Sequence, residues 1–255
     1  MELFKVGFPN LSVDFFGSIP STNQFLKYKA KSTLIPSLCI ADIQTNGYGQ
    51  RESHWESDQQ SITFSLLLPI NCPINQLQGF SQLLALRVKQ SLAINTGHDY
   101  KVKWPNDIYM DDSKVAGLLV EVVNRTDHLC WLVIGLGVNT GSFEHQFSDY
   151  CAKGVPLSEG QNKYDLTFKL VQALLETADS YQPEKWVSDK SNWNNSDYFQ
   201  IGELVNLKGW SFDKGLYLGV SDSGSLLIKT INNVSDQGTV ELTSGMVSLR
   251  KKDRL

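Results

Sequence analysis

Lys103, Trp104, Pro105, Asn106, Asp107 and Ile108 stand in a row, and six unlike residues in that order are improbable as packing alone. A lysine ammonium is a compact point charge, the simplest group for stabilising negative charge as it develops. Asparagine and aspartate oxygens can orient an anionic ligand or a magnesium ion, which favours oxygen ligands. Pro105 biases the residue before it to an extended backbone, so Trp104 steadies Lys103 at a strand end. Taken without its neighbours, Lys103 reads as a surface lysine snorkelling off a strand. Asp107 reads equally as a member of an ion pair or turn.

Four other segments carry polar or glycine residues where chemistry could use them. Gln44-Thr45-Asn46-Gly47-Tyr48-Gly49-Gln50-Arg51, with Trp55 behind it, is a glycine loop between two strands. Such glycines make a tight turn or let the backbone close over a small ligand. Ser21-Thr22-Asn23 can cap a helix, and helix starts also offer free N–H groups. Gly117, inside Lys114 to Glu121, and Gly135 and Gly137 before Asn139 lie in strands, where glycine marks a bulge or the close approach of a ligand. The last of these is not a dinucleotide fingerprint, because it lacks the third glycine and the helix that must follow.

Together these segments resemble the signature of the biotin protein ligases, with strong motifs from Ser21 to about Thr140. The likeness continues to Ser244-Gly245-Met246-Val247-Ser248-Leu249-Arg250, which is similar to the family's closing strand. The resemblance implies ATP-dependent formation of biotinyl-5′-AMP, then transfer of biotin to a lysine of a biotin carboxyl carrier domain. It implies Lys103 as the catalytic residue. It places Ser21, Thr22, Asn23, Gln44, Gly47, Tyr48, Gly49, Gln50, Lys103 and Gly117 around biotin. Arg51, Trp55, Asn106, Asp107, Lys114 and Asn139 fall around the adenylate. ATP and biotin are then substrates, Mg2+ accompanies ATP, and the partner is acetyl-CoA carboxylase or another biotin-dependent carboxylase. The chain departs from the family in the loop, where Tyr48, Gln50 and Ser53 stand at positions the family gives to arginine and Arg51 remains. Three lost charges imply a leakier hold on the adenylate or a changed acid preference, unless Tyr48 makes an uncharged lid by stacking. A lipoate or octanoate ligase is the alternative within the same fold, and a biotin-binding protein without transfer is the alternative outside catalysis.

The elements that must position these residues follow from periodicity. Ser21 or Thr22 caps a helix from about Asn23, and Leu38 to Gln44 is a strand. Thr45 to Gln60 is a loop. Ser61 to Leu68 is a buried strand ended by Pro69. Leu77, Phe80, Leu84, Val88 and Leu92 form one helical stripe over about Asn75 to Asn95. From Tyr100 to Val138, strands separated by the turns Asp111-Asp112-Ser113 and Asn124 to His128 predict antiparallel hairpins. Asp165 to Tyr181 is a second helix, ended by Pro183, and Asn192 to Ser196 is the joint. After about Gln200 five short strand-like runs, at 204–207, 216–220, 226–231, 239–242 and 246–249, predict a small barrel; the final Lys251 to Arg254 reads as a solvated tail. The expected fold class is α+β. The resemblance makes residues 1–198 a catalytic domain related to class II aminoacyl-tRNA synthetases with a mixed or antiparallel sheet, and residues 199–255 an SH3-like barrel.

Composition bounds the rest. With 255 residues, 41% hydrophobic and 20% charged, the chain has the make-up of one core plus a small second unit. A net charge of −4 lacks the clustered basic surface of a nucleic-acid binder. Ser21 comes too early for the helix-turn-helix of repressor members, so no DNA binding is expected. Cys39, Cys72, Cys130 and Cys151 make no Cys-x-x-Cys pair, which reads as buried free thiols of a cytoplasmic protein. The four histidines lack ligand spacing and no metal site is expected. No signal peptide or membrane span is read. Within the family the sheet can pair across a homodimer.

Overall fold

The computed structural model describes residues 2–147, 150–211, 213–231, 238–243 and 248–251. The first unit is a mixed nine-stranded sheet. Its strands are β1 (Ser12–Ile19), β2 (Ser37–Gln44), β5 (Ile62–Ile70), β6 (Lys101–Lys103), β7 (Asp107–Met110), β8 (Ser113–Arg125), β9 (Cys130–Val138), β10 (Glu144–Gln146) and β11 (Cys151–Lys153). The loop after β2 contributes a separate two-stranded pair, β3 (Gly47–Tyr48) and β4 (His54–Trp55). The spatial order is β1-β2-β5-β9-β8-β11-β10, with the β6–β7 hairpin attached to β8. β1 runs parallel to β2 and β11 parallel to β8, while β2–β5–β9–β8–β7–β6 are antiparallel.

Both faces of this sheet are covered. Helices α3 (Phe80–Thr96), α4 (Lys163–Asp179) and α5 (Pro183–Ser196) lie on one face, and α2 (Thr22–Lys29) lies on the other. A short α1 (Glu2–Gly7) precedes β1. Strand side chains alternate between faces. Thus Ile62, Phe64, Leu66, Leu68 and Ile70 enter the large core under the three helices, while Leu67 joins Leu26, Cys39 and Val133 under α2. That two-sided burial explains the nearly unbroken apolar run of β5.

From Leu204 on, β12 (Leu204–Lys208), β13 (Lys214–Val220), β14 (Leu226–Thr230), β15 (Thr239–Leu242) and β16 (Ser248–Lys251) make an antiparallel sheet ordered β15-β14-β13-β12-β16. Its core is continuous with the first unit's. The carbonyl of Gly224 accepts from Trp104 Nε1 at 3.0 Å and Gln82 Nε2 at 3.1 Å, and Ser221 O accepts from Trp186 Nε1 at 3.2 Å. The turn between β13 and β14 is therefore pinned to the tryptophan of the Lys103–Ile108 run.

Several expected boundaries move. β1, α1, β10 and β11 were not read from the sequence, and the loop at 45–60 contains the β3–β4 pair. Pro69 lies inside β5; pairing with β2 stops at Leu67, so beyond it a missing N–H costs no ladder bond on that side. The helix expected from Asn75 starts at Phe80. Gly79, left-handed with φ 73°, breaks the chain there, and a Cβ on it would lie 2.1 Å from the Trp186 ring. Pro183 does not end α4, which stops at Ser180; it opens α5. The expected joint at Asn192–Ser196 is the last turn of α5, held helical because Trp186 and Trp193, seven residues apart, both bury fully. The chain crosses between units at Asp197–Phe199. Cys39, Cys72 and Cys130 are buried and free, whereas Cys151 is half-buried. The first part of the closing run at 244–250, the start of the strand expected at 246–249 and the tail beyond Lys251 fall outside the described residues.

Candidate active site

A cavity of about 360 Å3 opens between the two sheets, within the ~300–1,000 Å3 of small-ligand sites. One wall is the start of α2. Ser21 is the helix cap, its hydroxyl accepting from Gln24 N at 3.3 Å. Thr22 and Asn23 are buried behind it. Gln44, at the end of β2, accepts from the Thr22 N–H at 2.8 Å and from the Thr22 hydroxyl at 3.0 Å through one oxygen. Ser65 Oγ, on the α2 face of β5, lies 2.7 Å from Thr22 Oγ1 and 2.5 Å from Asn23 Oδ1. The groups that meet in this corner are neutral amides and hydroxyls, backed by the Glu121 carboxylate that accepts from Asn23 Nδ2 at 2.9 Å and pairs with Lys27, and Gln44 keeps its amide N–H2 as a donor.

The opposite end is cationic. Lys103 ends β6 with its side chain buried (4% exposed) and bonds the Tyr109 hydroxyl at 3.0 Å. Its Nζ is 4.7 Å from the Tyr109 ring centre, 5.8 Å from Tyr198 and 6.0 Å from Phe199. The joint between units supplies those last two rings, and Tyr198 N donates to Val102 O at 2.8 Å. Burial pushes the Lys103 ammonium down to about 7; Asp107 opposes this, and Arg250, Lys114 and Lys251 add to it. Asp107 pairs with Lys114 at 2.7 Å, the ion-pair reading of that residue. The Asn106 side chain donates to the Leu118 carbonyl, and Leu118 N donates back to Asn106 O at 3.2 Å. Asn106 thus fastens the hairpin to β8 while still lining the cavity. The Trp104–Pro105 peptide is cis.

The glycines of β9 make room for protein side chains. A Cβ on Gly135 would sit 2.2 Å from Asn23 Oδ1, and one on Gly137 would sit 2.4 Å from the Trp55 ring. The reading of close approach holds, but what approaches is Asn23 and Trp55. Trp55 Nε1 is a buried donor with no partner among the described residues, and its ring lies 5.5 Å from Lys114 Nζ.

The structure brings together most of the residues named from the sequence. Ser21, Thr22, Asn23, Gln44, Tyr48, Gly49, Gln50, Arg51, Trp55, Lys103, Asn106, Asp107, Lys114 and Gly117 all line the cavity. Gly47 and Asn139 do not. Gly47 pairs with Trp55 at the base of the loop. Asn139 is buried just past β9, its backbone bonded to Val115 and Val155. Sequence reasoning missed Ser65, Glu121, Tyr109, Tyr198, Lys208 and Arg250. Lys208 and Arg250 come from β12 and β16 and line the cavity. Basic side chains at the cavity are therefore Arg51, Lys103, Lys114, Lys208 and Arg250, against the single carboxylate of Asp107 among the described lining residues. The charge missing from positions 48, 50 and 53 is accompanied by cations from the second sheet.

Residues 15–139 match the model of the Biotin/lipoate A/B protein ligase family. That segment of the chain is similar to the family's domain. Over 215 residues it is 27% identical to the bifunctional ligase/repressor BirA of Escherichia coli, covering 83% of this chain and 67% of that protein; it spans about two thirds of such relatives. It is 25% identical to the biotin–[acetyl-CoA-carboxylase] ligase of Paracoccus denitrificans, covering 74% of this chain and 82% of that one. The biotin protein ligase of Aquifex aeolicus, solved in complex with biotin and ATP, superposes with a TM-score of 0.74 at 26% identity, covering 94% of this chain and 99% of that one. The matched residues thus contain Ser21–Asn23, Gln44, the 47–55 loop and the Lys103–Asp107 hairpin, whereas Lys208 and Arg250 lie beyond them. No helix among the described residues is long and apolar enough to cross a membrane.

Proposed function

We propose that this chain is a biotin protein ligase that makes biotinyl-5′-AMP from biotin and ATP and passes biotin to a carrier lysine. The observation that carries the reading is the cavity's polarity, neutral at the Thr22–Asn23–Gln44 corner and cationic at Lys103, Lys114 and Arg250. A neutral cyclic urea suits the first end, where buried groups reject analogues that leave them unpaired. The acid's carboxylate and the α-phosphate suit the second.

Two anions must meet for the carboxylate oxygen to attack the α-phosphorus and displace pyrophosphate. Lys103, fixed at a strand end and shielded from water, offers positive charge to the pentavalent centre at no reorganisation cost. Lys114, aligned by Asp107, adds a second charge. The carrier's ε-amine then attacks the mixed anhydride's carbonyl carbon, breaking the bond to the phosphate oxygen and releasing AMP. A magnesium ion accompanying ATP would be held by Asp107, the lining carboxylate, together with phosphate oxygens, and would neutralise phosphate charge. The partner we propose is a biotin carboxyl carrier domain of acetyl-CoA carboxylase or another biotin-dependent carboxylase. Residues 1–198 serve as a synthetase-like catalytic domain and 199–255 as an SH3-like barrel, a division supported by the separate antiparallel sheet after Leu204.

Pyrophosphate release from ATP with biotin, lipoate or no acid tests the reading. Release with biotin alone supports it, release with lipoate supports the lipoate ligase, and biotin binding without release supports the non-transferring binder.

A further inference from the structure

Glu121 is a charged residue in an otherwise apolar stretch of β8, between Val120 and Val122. Its carboxylate gathers three side chains from two distant elements, Tyr48 of β3 and Asn23 and Lys27 of α2. Tyr48 Oη and Asn23 Nδ2 both donate to Oε2 at 2.9 Å, and Lys27 Nζ sits 2.6 Å from Oε1. Lys27 also lies 5.9 Å from the Tyr48 ring centre. One of these elements is the loop over the cavity and the other is the corner that we assign to acid recognition.

We infer that Glu121 is a positioning residue that latches the loop to the acid-recognition corner, holding Tyr48 closed and Asn23 oriented through one carboxylate before any ligand arrives. A phenol has one proton to donate, and Tyr48 gives it to Glu121. Tyr48 therefore presents its ring to the cavity and does not bind the ligand's carboxylate. Asn23 has its N–H2 on Glu121 and its Oδ1 beside Ser65, which leaves a single amide orientation. The loop tip needs such anchoring. Arg51 and Glu52 are left-handed, with φ 56° and 58°, a costly conformation for non-glycine residues that persists only where the surroundings impose it. Gly49 N bonds Ser53 O at 2.7 Å across the tip, and the β3–β4 pair with the Tyr48–Glu121 bond fixes its base.

The name of the ligand rests on the ligase reading, but the latch is testable without it. Trypsin cleavage after Arg51 in the ligand-free full chain reports loop opening. Tyr48→Phe and Glu121→Ala are each expected to speed that cleavage roughly tenfold, the scale for losing a hydrogen bond to a charged group. The double variant should be no faster than either single one, because both remove the same bond. Glu121→Ala should raise the KM for the acid more than Tyr48→Phe does, since it also frees Asn23, with kcat changing less than KM. Should Glu121→Ala fail to fold, Tyr48→Phe, which removes one oxygen from a half-buried side chain, carries the test. Unchanged cleavage in Tyr48→Phe, or rate effects that multiply in the double variant, overturns the latch. Unchanged cleavage with biotin-dependent activity refutes the latch alone; faster cleavage without such activity refutes the ligase reading alone.

Discussion

At the scale of single residues, the proposed chemistry turns on a lysine kept out of water. Because the folded Lys103 ammonium is pushed down to about 7, below the ordinary lysine value, folding disfavours its charged form. The cost is full below pH 7 and fades as pH rises towards the unfolded value, so Lys103 opposes folding most at low pH. An anionic ligand reverses the preference. Acid and ATP should therefore bind with uptake of a proton above pH 7, and the acid's KM should climb between pH 7 and 9. Calorimetry at pH 8 in buffers of different ionisation heat measures that proton. Lys103→Gln is expected to lower kcat by ~10²–10³, the scale of losing one preorganised charge or donor at a transition state. Lys103, Gln44 and the Ser21–Asn23 triplet were legible in the sequence because they sit in compact runs of unlike residues. Ser65 and Glu121 were not. Each is one polar residue inside an apolar strand, and its partners lie 42 to 98 positions away.

At the scale of elements, the cavity depends on close packing that leaves no room for a methyl group. Gly135→Ala places a Cβ on the Asn23 amide, so acid affinity should fall together with a stability loss of about 1–3 kcal/mol; acid titration and thermal unfolding of one preparation read both. The hairpin carrying Lys103 is held from behind by the Trp104–Gly224 hydrogen bond. Trp104→Phe loses that donor and puts a smaller ring in place of a buried indole, which should lower Tm by ~4–8 °C, as expected for about 2 kcal/mol in a chain of this size. Antiparallel hairpins between Tyr100 and Val138 could be read from short polar turns between alternating runs. β10 and β11 could not, since three-residue strands carry too little pattern. The misplaced start of α3 and the misread Pro183 share one cause: Trp186 packs against Gly79, a contact across 107 positions that local propensity does not contain.

At the scale of the whole molecule, the site exists only where the two sheets meet. Lys208 and Arg250 reach the cavity from the second sheet, so the charge that the loop lacks at positions 48, 50 and 53 has a source the motif did not show. Arg250→Ala should raise the KM for ATP several-fold and leave the KM for the acid nearly unchanged, because Arg250 stands at the Lys103 end and not at the Thr22–Gln44 corner; steady-state kinetics with each substrate varied in turn distinguishes the two. A change confined to the acid would place Arg250 wrongly. The short strands after Gln200 were legible from the shift to short apolar runs and glycine turns, whereas the docking of their sheet on the first was not, because it is made by single contacts such as those on Gly224. The measurement that bears most directly on the central claim is pyrophosphate release from ATP by the full chain with biotin, with lipoate and with neither, followed by addition of a purified biotin carboxyl carrier domain. The account predicts release that requires biotin and a carrier that gains one biotinyl group on lysine. Release that requires lipoate, or biotin binding with no release, would contradict it.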